Sequence, residues 1–474
     1  MMLLTLFKIV GGSLLAAALI WALVLAWWQS NDYQPDRLEL ALYLGALPLA
    51  LIGGYWLLRG FIENLKAPPA APPVAEKLSA DDDPLAASGK KTDAAERAFT
   101  LDVIDAFVLT GGGRGADEML AAVAAGKRPA PDAALIDSDG FPVFAAAIAE
   151  LDSDALAETL AQRDSTLVEL AGHPEILRAL TLLDDVLQQA RERLAGLLEN
   201  VAASPPVQVL WLLPATWDPA WLGPLRAWLA EQEWPAKCRS GLTLSLLQVA
   251  SESAALARLD ELIVGANRIS DGDQLVLVIS AVSLIDQQRI DALASANRLF
   301  SASHQDRLIP GEGGVAILLA TTPCGNRLAI NERTRISRPS LGVRDKAVNA
   351  GGRISGQLIQ QLAAGLLDIS GTDPAKVMAA VSDTDHRATH AAEMLEGLGA
   401  DFAHLDPLED CLGAGTCCGA IPPLGGLVAL ACAHEKVRSL AAPVICLSNQ
   451  HDKERGLLLV MPHVPATESE PSTS

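Results

Sequence analysis

The side chains best spaced to bind a metal lie in 382-SDTDHRATHAAEM-394. On a helix, His386, His390 and Glu393 would share one face, because residues three and four apart are neighbours there. Arg387, however, stands where a zinc protease motif has its glutamate base, and its charge disfavours a divalent cation beside His386. The pattern favours a solvated polar face over a metal site, and we expect neither a metal nor another cofactor.

A glycine-rich turn, Gly111 to Gly115, follows a strand-like run and precedes a helical pattern. Backbone N–H groups at such a helix start can bind phosphate. The glycine spacing matches neither a P-loop nor a dinucleotide-binding fingerprint, and Asp117 and Glu118 already complement the helix dipole. We interpret the segment as a structural turn, with an anion site as the alternative.

Cys417 and Cys418 are adjacent in the sequence and invite a redox or metal-binding interpretation. Neighbouring cysteines bridge only with strain, and the nearest other cysteine, Cys411, completes no metal-ligand spacing. Small buried residues in a glycine-rich loop account for the pair more simply. The seven cysteines also lack the regular spacing of a secreted disulfide framework, which favours a reducing compartment.

Tryptophan is concentrated between residues 211 and 234, in a chain with nine tryptophans and only three tyrosines. Part of this group must lie in the core, but tryptophan is also enriched in recognition surfaces. Trp217, Trp221 and Trp228 are therefore candidates for a patch that binds a protein partner, and burial in the core is the alternative.

The net charge of −21 argues against binding to nucleic acid, because phosphate repels such a chain unless its Lys and Arg residues form a patch. The sequence contains no such patch. Half of the 474 residues are hydrophobic, so the chain is long enough and apolar enough to bury a large core. These numbers predict a folded protein that does not bind nucleic acid.

Two uncharged runs near the start of the chain predict a transmembrane helical hairpin within residues 1–65. Ile9 to Trp28 and Leu40 to Leu58 are each long enough to cross a hydrocarbon core of about 30 Å. The alternative is a signal peptide followed by one span, although the first run is long for a signal peptide and lacks a small-residue cleavage site. The lipid bilayer is therefore an expected partner.

The cations around this hairpin predict its orientation. Lys8 precedes the first span, and Arg59 and Lys66 follow the second, whereas the loop between the spans carries one arginine and three acidic residues. By the positive-inside rule, both termini and the soluble domain should face the cytoplasm of a bacterial inner membrane. Residues 66–96 are rich in Pro, Ala and Asp, which predicts a flexible linker.

The rest of the chain alternates between strand-like and helical patterns, which predicts an α/β fold with buried sheets. Apolar runs of strand length occur at 99–110, 207–215, 275–282, 315–320 and 443–448. Helical patterns occur at 176–201, 254–266, 355–369 and 424–437. The order has an internal repeat, because each half ends with a helix, a polar gap and a hydrophobic strand.

A resemblance to the thiolase-like fold of the β-ketoacyl synthases is carried by 273-DQLVLVISAVSLIDQQRIDALASANRLFSASHQDRLIPGEGGVAILLA-320. In that family a strand ends in a small-residue turn, and a Pro-Gly-Glu-Gly corner, here Pro310 to Gly313, leads into a central strand. The resemblance implies a layered αβαβα domain after the two transmembrane helices, with halves at 97–330 and 331–465 and a disordered tail at 466–474. Similar segments in the second half are 382–394, 412–431 and 443–460.

The positions that would carry the family's chemistry hold other residue types. The family's enzymes use a cysteine nucleophile at the start of a buried helix and two histidines. The nucleophile position falls in 249-VASES-253, where Ser251 is the candidate, and the histidine positions fall on Ser382 and Thr416. A lone serine without a paired histidine is more often a helix cap than a nucleophile. The resemblance therefore implies a fold without its catalytic residues.

These observations predict a non-catalytic, membrane-anchored scaffold or adaptor that binds protein partners. Degenerate chains of this kind resemble accessory proteins of bacterial secretion systems, type VI in particular. The family's dimer, formed through an edge strand, implies a homodimer here. The alternative is a membrane-associated acyltransferase or condensing enzyme whose nucleophile is Cys417 or a serine.

Overall fold

The computed structural model describes residues 95–163, 170, 172–269, 272–399 and 401–463, together with Trp21, Ala22, Trp27, Gln29 and Asp36. Apart from those five positions, the predicted hairpin lies outside the described residues. So do residues 66–94 of the predicted linker and the chain from residue 464 onward. Within the described part, no helix is both long enough and apolar enough to cross a membrane.

The described chain forms a large mixed sheet and a separate two-stranded hairpin, β3–β4, together with helices. The strands are β1 (Thr100–Thr110), β2 (Gly113–Arg114), β3 (Ala130–Ile136), β4 (Pro142–Ala145), β5 (Val207–Pro214), β6 (Leu242–Val249), β7 (Leu275–Ser283), β8 (Glu312–Ala320), β9 (Thr334–Ser337), β10 (Ser340–Val343), β11 (Ala379–Ser382), β12 (Cys411–Gly413), β13 (Val444–Ser448) and β14 (Glu454–Pro462). The helices are α1 (Ala116–Ala124), α2 (Ser153–Arg163), α3 (Pro174–Leu198), α4 (Leu222–Ala230), α5 (Glu252–Arg268), α6 (Gln287–Ser295), α7 (Thr322–Arg327), α8 (Gln357–Ser370), α9 (Ala388–Leu398), α10 (Gly415–Cys418) and α11 (Gly425–Leu440).

The main path of the large sheet consists of two halves with the same topology. One half has the strand order β6-β5-β7-β8-β1, and the other has the order β12-β11-β13-β14-β9. If the five strands of each half are numbered in the order in which they occur in the sequence, their order across the sheet is 3-2-4-5-1 in both halves. In both halves the fifth strand runs antiparallel to its two neighbours. Antiparallel pairing of β1 with β9 joins the halves, so the repeat in the sequence is also a repeat in the fold.

The helices pack around this sheet in layers. α5 and α11 form a central cluster with apolar residues from strands of both halves. A second cluster packs α2, α3 and α4 against the first half, and a third packs α8 and α9 against the second half. The layered α/β architecture inferred from the sequence is confirmed by this arrangement.

The two strands that follow each other in the first half, β7 and β8, are buried along their whole length. On β7, Val276 and Val278 face the central cluster, whereas Leu277 and Ile279 face the outer one. Strands that are covered on both faces appear in a sequence as continuous apolar runs rather than alternating ones. The continuous apolar runs at 275–282 and 315–320 were therefore correctly predicted to be strands.

The glycine-rich corner before β8 brings the backbones of the two halves into direct contact. The backbone N–H of Gly311 donates to the carbonyl of Ala420 at 3.1 Å. A Cβ atom at position 311 would overlap the carbonyl oxygen of Cys418 and would lie 3.1 Å from Ile421 Cγ2. Glycine is required here because two backbones approach too closely for any side chain.

Glu312, the next residue in this corner, anchors the start of β8. Its buried carboxylate accepts hydrogen bonds from Ser283 Oγ and Arg178 Nε, both at 2.8 Å. The backbone N–H of Ile148 donates to it as well, also at 2.8 Å. These hydrogen bonds hold the segments that contain Ser283, Arg178 and Ile148 against the start of β8.

The tryptophan-rich segment is mainly core and does not form the predicted partner-binding patch. Trp217 and Trp228 are only 6% and 2% exposed, and the Trp228 ring centroid lies 5.7 Å from that of buried Trp211. Trp221 is half-buried, and its ring lies 4.9 Å from that of His173. Large indole rings occur here because they fill the layer between the sheet and its outer helices.

The corner gives a direct test of how closely the halves are packed. We expect Gly311→Ala to lower the free energy of unfolding by about 1–3 kcal/mol, because the new methyl group overpacks the contact with Cys418. Chemical denaturation followed by circular dichroism measures this change. Gly265→Ala is the matched control, because a Cβ atom there meets nothing within 4 Å on an exposed part of α5. The control should be neutral or stabilising, and equal stability of the two variants would contradict the close approach.

Candidate functional site

Ser251 acts as the N-cap of α5. Its Oγ accepts a hydrogen bond from the backbone N–H of Ala254 at 3.2 Å. The same hydroxyl donates to the Glu454 carboxylate. Both its proton and a lone pair are therefore engaged in structure, which confirms the interpretation as a cap.

Ser382 and Thr416 hold neighbouring loops of the second half. Ser382 ends β11, and its Oγ donates to Thr384 Oγ1 at 2.8 Å. Thr416 lies on the short helix α10, and its Oγ1 donates to the carbonyl of Gly413 at 2.7 Å. Because Ser382 pairs with Gly413 in the β11–β12 ladder, these two positions are close together. Ser251 does not share these contacts, because its hydroxyl bonds to Ala254 and Glu454 instead.

Asp383, immediately after β11, is the centre of a buried hydrogen-bonded group. It is 1% exposed and accepts a hydrogen bond from Ser448 Oγ at 2.6 Å. The backbone N–H groups of Asn449 and Gln450 donate to its other oxygen at 2.7 and 3.0 Å. Parallel pairing of β11 with β13 brings these segments together. At Gly425, the first residue of α11, a Cβ atom would lie 3.2 Å from Asp383 Cβ, so this helix starts against the carboxylate.

Glu252, the first residue of α5, is a second buried carboxyl group in this region and is 3% exposed. Burial and the negative charges of Asp383 and Glu454 raise the pKa of Glu252 to about 8, although Arg387 opposes this effect. Burial also raises the pKa of Asp383, but the hydrogen bonds to its carboxylate oppose that shift. We therefore assign the proton of this coupled pair to Glu252 at neutral pH.

A small cavity of about 150 Å³ opens at the start of α5. Glu252 and Arg387 line it, together with Pro422 from the loop before α11 and Gln450 from the loop after β13. Most of the other lining side chains are also polar or charged. Such a wall suits a small polar molecule better than an acyl chain, since burying charged groups against hydrocarbon is costly.

Arg387 organises one wall of this cavity. Its Nε donates to both carboxylate oxygens of Asp385 at 3.0 and 2.9 Å. Its Nη1 donates to Asp452 at 3.1 Å, and its Nη2 donates to the carbonyl of Gln450 at 2.6 Å. The guanidinium therefore connects the loop before α9 to the loop before β14.

The interpretation of 382–394 as a solvated polar face is wrong, because His390 and Glu393 are fully buried. Glu393 accepts hydrogen bonds from Arg455 Nε at 2.9 Å and Nη2 at 2.6 Å, and it also pairs with Arg344. Arg344 and Arg455 come from distant parts of the sequence. Their charges neutralise the Glu393 carboxylate, which would otherwise have to be hydrated. Within the described part of the chain, no group of three or more His, Cys, Asp or Glu residues is arranged to hold a metal.

Both remaining sequence motifs have structural roles. Gly111 and Gly112 form the turn between β1 and β2, and a Cβ atom on Gly112 would lie 2.7 Å from Cys417 Sγ. Cys417 and Cys418 are free and buried, and the Sγ atom of each donates to the carbonyl of Ala414 at 3.2 Å. Burial raises the pKa of both thiols, so neither is activated.

No protein-family model matches the sequence, and no curated protein matches it. The described architecture is nevertheless similar to solved structures of ketosynthases. An oxazolomycin ketosynthase domain from Streptomyces albus has a TM-score of 0.50 at 12% identity, with 78% of this chain and 75% of that chain covered. The ketosynthase from module 1 of the Bacillus amyloliquefaciens bacillaene synthase has a TM-score of 0.50 at 14% identity, with 78% and 77% covered.

A third similar structure is the complex of a type II PKS acyl-carrier protein with its ketosynthase bound to the hexaketide. Its TM-score is 0.50 at 11% identity, with 77% of this chain and all of that chain covered. The chain has a ketosynthase-like fold. Identities this low establish the architecture alone.

In this ketosynthase-like fold, sequence reasoning proposed Ser251, Ser382 and Thr416 as the family's catalytic positions, and it gave Glu252 and Asp383 no role at this site. One signal for Glu252 was available, since it directly follows the candidate nucleophile position at the start of a mostly apolar helix. The signal for Asp383 was its place directly after a buried strand. Both carboxyl groups belong to the polar centre of the site, and Glu252, when protonated, can donate a hydrogen bond into the cavity.

The proton on Glu252 predicts a pH-dependent stability. Its folded-state pKa of about 8 is above the ordinary 4.5, so the folded state binds more protons between these values, and stability falls as the pH rises through that window. The contribution of this one group approaches about 1.4 kcal/mol for each pH unit. Denaturation of the wild type and of Glu252→Gln across this window measures it. The free energy of unfolding of the variant should fall less steeply with pH than that of the wild type. The same pH dependence in both proteins would contradict the assignment of the proton to Glu252.

Proposed function

We propose that this protein is a non-condensing scaffold or adaptor with a ketosynthase-like fold, anchored in a bacterial inner membrane and facing the cytoplasm. The observation that carries the proposal is the role of Ser251. At the start of α5, where the resemblance puts the nucleophile of a condensing enzyme, this hydroxyl caps the helix and bonds to Glu454. In the part of the chain that the structure describes, no histidine hydrogen-bonds to it, so it lacks the histidine base that usually activates a serine nucleophile.

The rival function, an acyltransferase or condensing enzyme that uses Cys417 or a serine, has less support. Cys417 is 2% exposed, and burial raises its pKa, so little thiolate is present at neutral pH. The hydroxyl groups of Ser382 and Thr416 are used in loop contacts. The charged wall of the cavity also disfavours an acyl chain.

A scaffold acts through its surfaces, and we propose a homodimer as part of this function. The resemblance implies pairing through an edge strand, and β6 is at the edge of the sheet in the described chain. Leu247 on this strand is 39% exposed, whereas Arg226 donates to the carbonyl of Leu244 and covers part of the edge. A dimer would carry two membrane hairpins and two copies of each partner-binding surface.

The process that we propose for this adaptor is protein secretion. This part of the proposal rests on the resemblance of degenerate ketosynthase-like chains to accessory proteins of secretion systems, type VI in particular. A membrane anchor and a cytoplasmic domain without turnover are consistent with holding a secretion component at the inner membrane. The partner is then a protein rather than a small substrate.

The proposal predicts that the full-length protein forms no acyl-enzyme. Incubation with thiol- and serine-directed acylating probes, and with acyl-carrier-protein thioesters, should leave its intact mass unchanged, because no nucleophile is activated. Mass spectrometry measures the outcome, and an active ketosynthase treated in the same way is the positive control.

Stoichiometric acylation would contradict the scaffold proposal and support the rival enzyme. In that case Ser251→Ala, Ser382→Ala and Cys417→Ser would identify the acceptor by loss of the added mass. Because Ser251 is a cap, its variant also needs a control for stability, since loss of an N-cap costs about 1 kcal/mol.

The anchoring part of the proposal predicts the effect of removing residues 1–65. The truncated chain should move from the membrane fraction to the soluble fraction, because the two predicted spans supply the hydrophobic length. Centrifugation followed by immunoblotting measures the distribution. A full-length chain in which residues 66–94 are replaced by a Gly/Ser linker should stay with the membrane. Membrane retention of the truncated chain would show that another surface anchors it.

A further inference from the structure

Two arginines on the wall of the cavity at the start of α5 have hydrogen-bonding capacity that the protein does not use. The guanidinium of Arg298 makes no hydrogen bond or ion pair with the residues that the structure describes, and it lines the cavity from a loop. Arg307 Nε is buried without a hydrogen-bond partner in the same part of the chain, and its nearest carboxylate oxygen, on Asp306, is 3.7 Å away. Guanidinium groups have five N–H donors and match oxyanions in shape.

The third arginine of the cavity, Arg387, is already engaged through all three of its nitrogen atoms. Arg387 already bonds to Asp385, Asp452 and the carbonyl of Gln450. Its charge is largely balanced by these two carboxylates, so it shapes the wall rather than binding a ligand. This arrangement leaves Arg298 and Arg307 as the cations that can receive an anion.

Glu252 supplies a different kind of donor to the wall of the cavity. Its side chain lines the cavity, is 97% buried and makes no hydrogen bond to another described residue. Burial and the neighbouring carboxylates raise the pKa of Glu252 to about 8, so this carboxyl can act as a hydrogen-bond donor at neutral pH. An acceptor oxygen in the cavity would satisfy it.

The backbone adds to this preference for negative charge. Glu252 is the first residue of the 17-residue helix α5, whose N-terminus carries a partial positive charge. The cavity has a volume of about 150 Å³, which is enough for a small anion.

We propose that this cavity binds a small oxyanion, a phosphate or a short carboxylate, between the guanidinium groups of Arg298 and Arg307 and the carboxyl group of Glu252. The bound anion would connect the loop before β8 to the start of α5. Binding requires no turnover, so it goes beyond the scaffold proposal and does not depend on it. A protein that is acylated by thioesters could still bind the anion, and an inert scaffold could fail to bind it.

Titration of the full-length protein tests this proposal with inorganic phosphate, acetate and succinate as separate probes. Calorimetry at low ionic strength should detect saturable binding of at least one probe. The probe that binds distinguishes a phosphate site from a carboxylate site. Arg298→Gln and Arg307→Gln should each weaken the affinity about tenfold, because each removes a charge-assisted hydrogen bond.

Arg258→Gln is the matched control for these variants. Arg258 lies on α5 but is exposed and pairs with Glu261 at 2.7 Å, away from the cavity wall. Its replacement should leave the affinity unchanged. Absence of saturable binding for every probe would overturn the proposal, and so would equal affinities in all three arginine variants.

The pH dependence tests the part played by Glu252. The anion affinity of the wild type should fall as the pH rises past about 8, because an ionised Glu252 loses its donor and repels the ligand. Glu252→Gln keeps an N–H donor, so it should bind at low pH and lose little affinity above that value. A wild-type decrease that persists in this variant would assign the effect to another group. The other charged or titratable groups that face this site are Asp306, Asp383, Arg387, His451, Asp452 and Glu454.

Discussion

Two carboxyl groups are buried between the two halves of this protein, and the surrounding loops are arranged by the need to satisfy them. An unbonded carboxylate in such a place costs several kcal/mol, so each must either find donors or keep its proton. Asp383 has donors, which come from Ser448 and from two backbone N–H groups. Glu252 keeps its proton. The paths of the chain after β11 and β13, and the glycines at the start of α11, are consequences of this constraint.

The relative size of two effects decides the state of Glu252. The partial positive charge at the start of α5 favours an ionised carboxylate, but such an interaction is worth at most about 2 kcal/mol. The pKa of Glu252 is nevertheless raised, from 4.5 to about 8, which is a shift in the opposite direction. Burial and the nearby carboxylates therefore dominate over the helix.

Local patterns were enough to predict strands β1, β5, β7, β8 and β13 and helices α3, α5, α8 and α11, because continuous apolar runs and helical periodicity are properties of short segments. The short strands β9 and β11 were not predicted, because four residues are too few to show a pattern. The glycine corner was also predictable, since Gly311 has a backbone reason that does not depend on chemistry. The polar network was not predictable, because its partners are far apart in the chain. Glu393 is neutralised by Arg455, 62 residues later, and Asp383 is bonded by Ser448, 65 residues later. The sequence could not decide whether the tryptophans near Trp217 lie in the core or at the surface. Composition does not show which face of the sheet the outer helices cover.

The position of β9 between β1 and β14 has a mechanical consequence. Thr100, at the start of β1, pairs with Ser337 of β9. Pro462, at the end of β14, pairs with Thr334 of β9. Both neighbouring strands therefore run in the same direction, antiparallel to β9. β1 and β14, the first and last strands of the large sheet in the sequence, therefore lie on either side of one four-residue strand, about 10 Å apart. A force that pulls the two ends apart would slide β1 and β14 past β9 in opposite directions. In that geometry the ladder hydrogen bonds of β9 with β1 and with β14 would share the load.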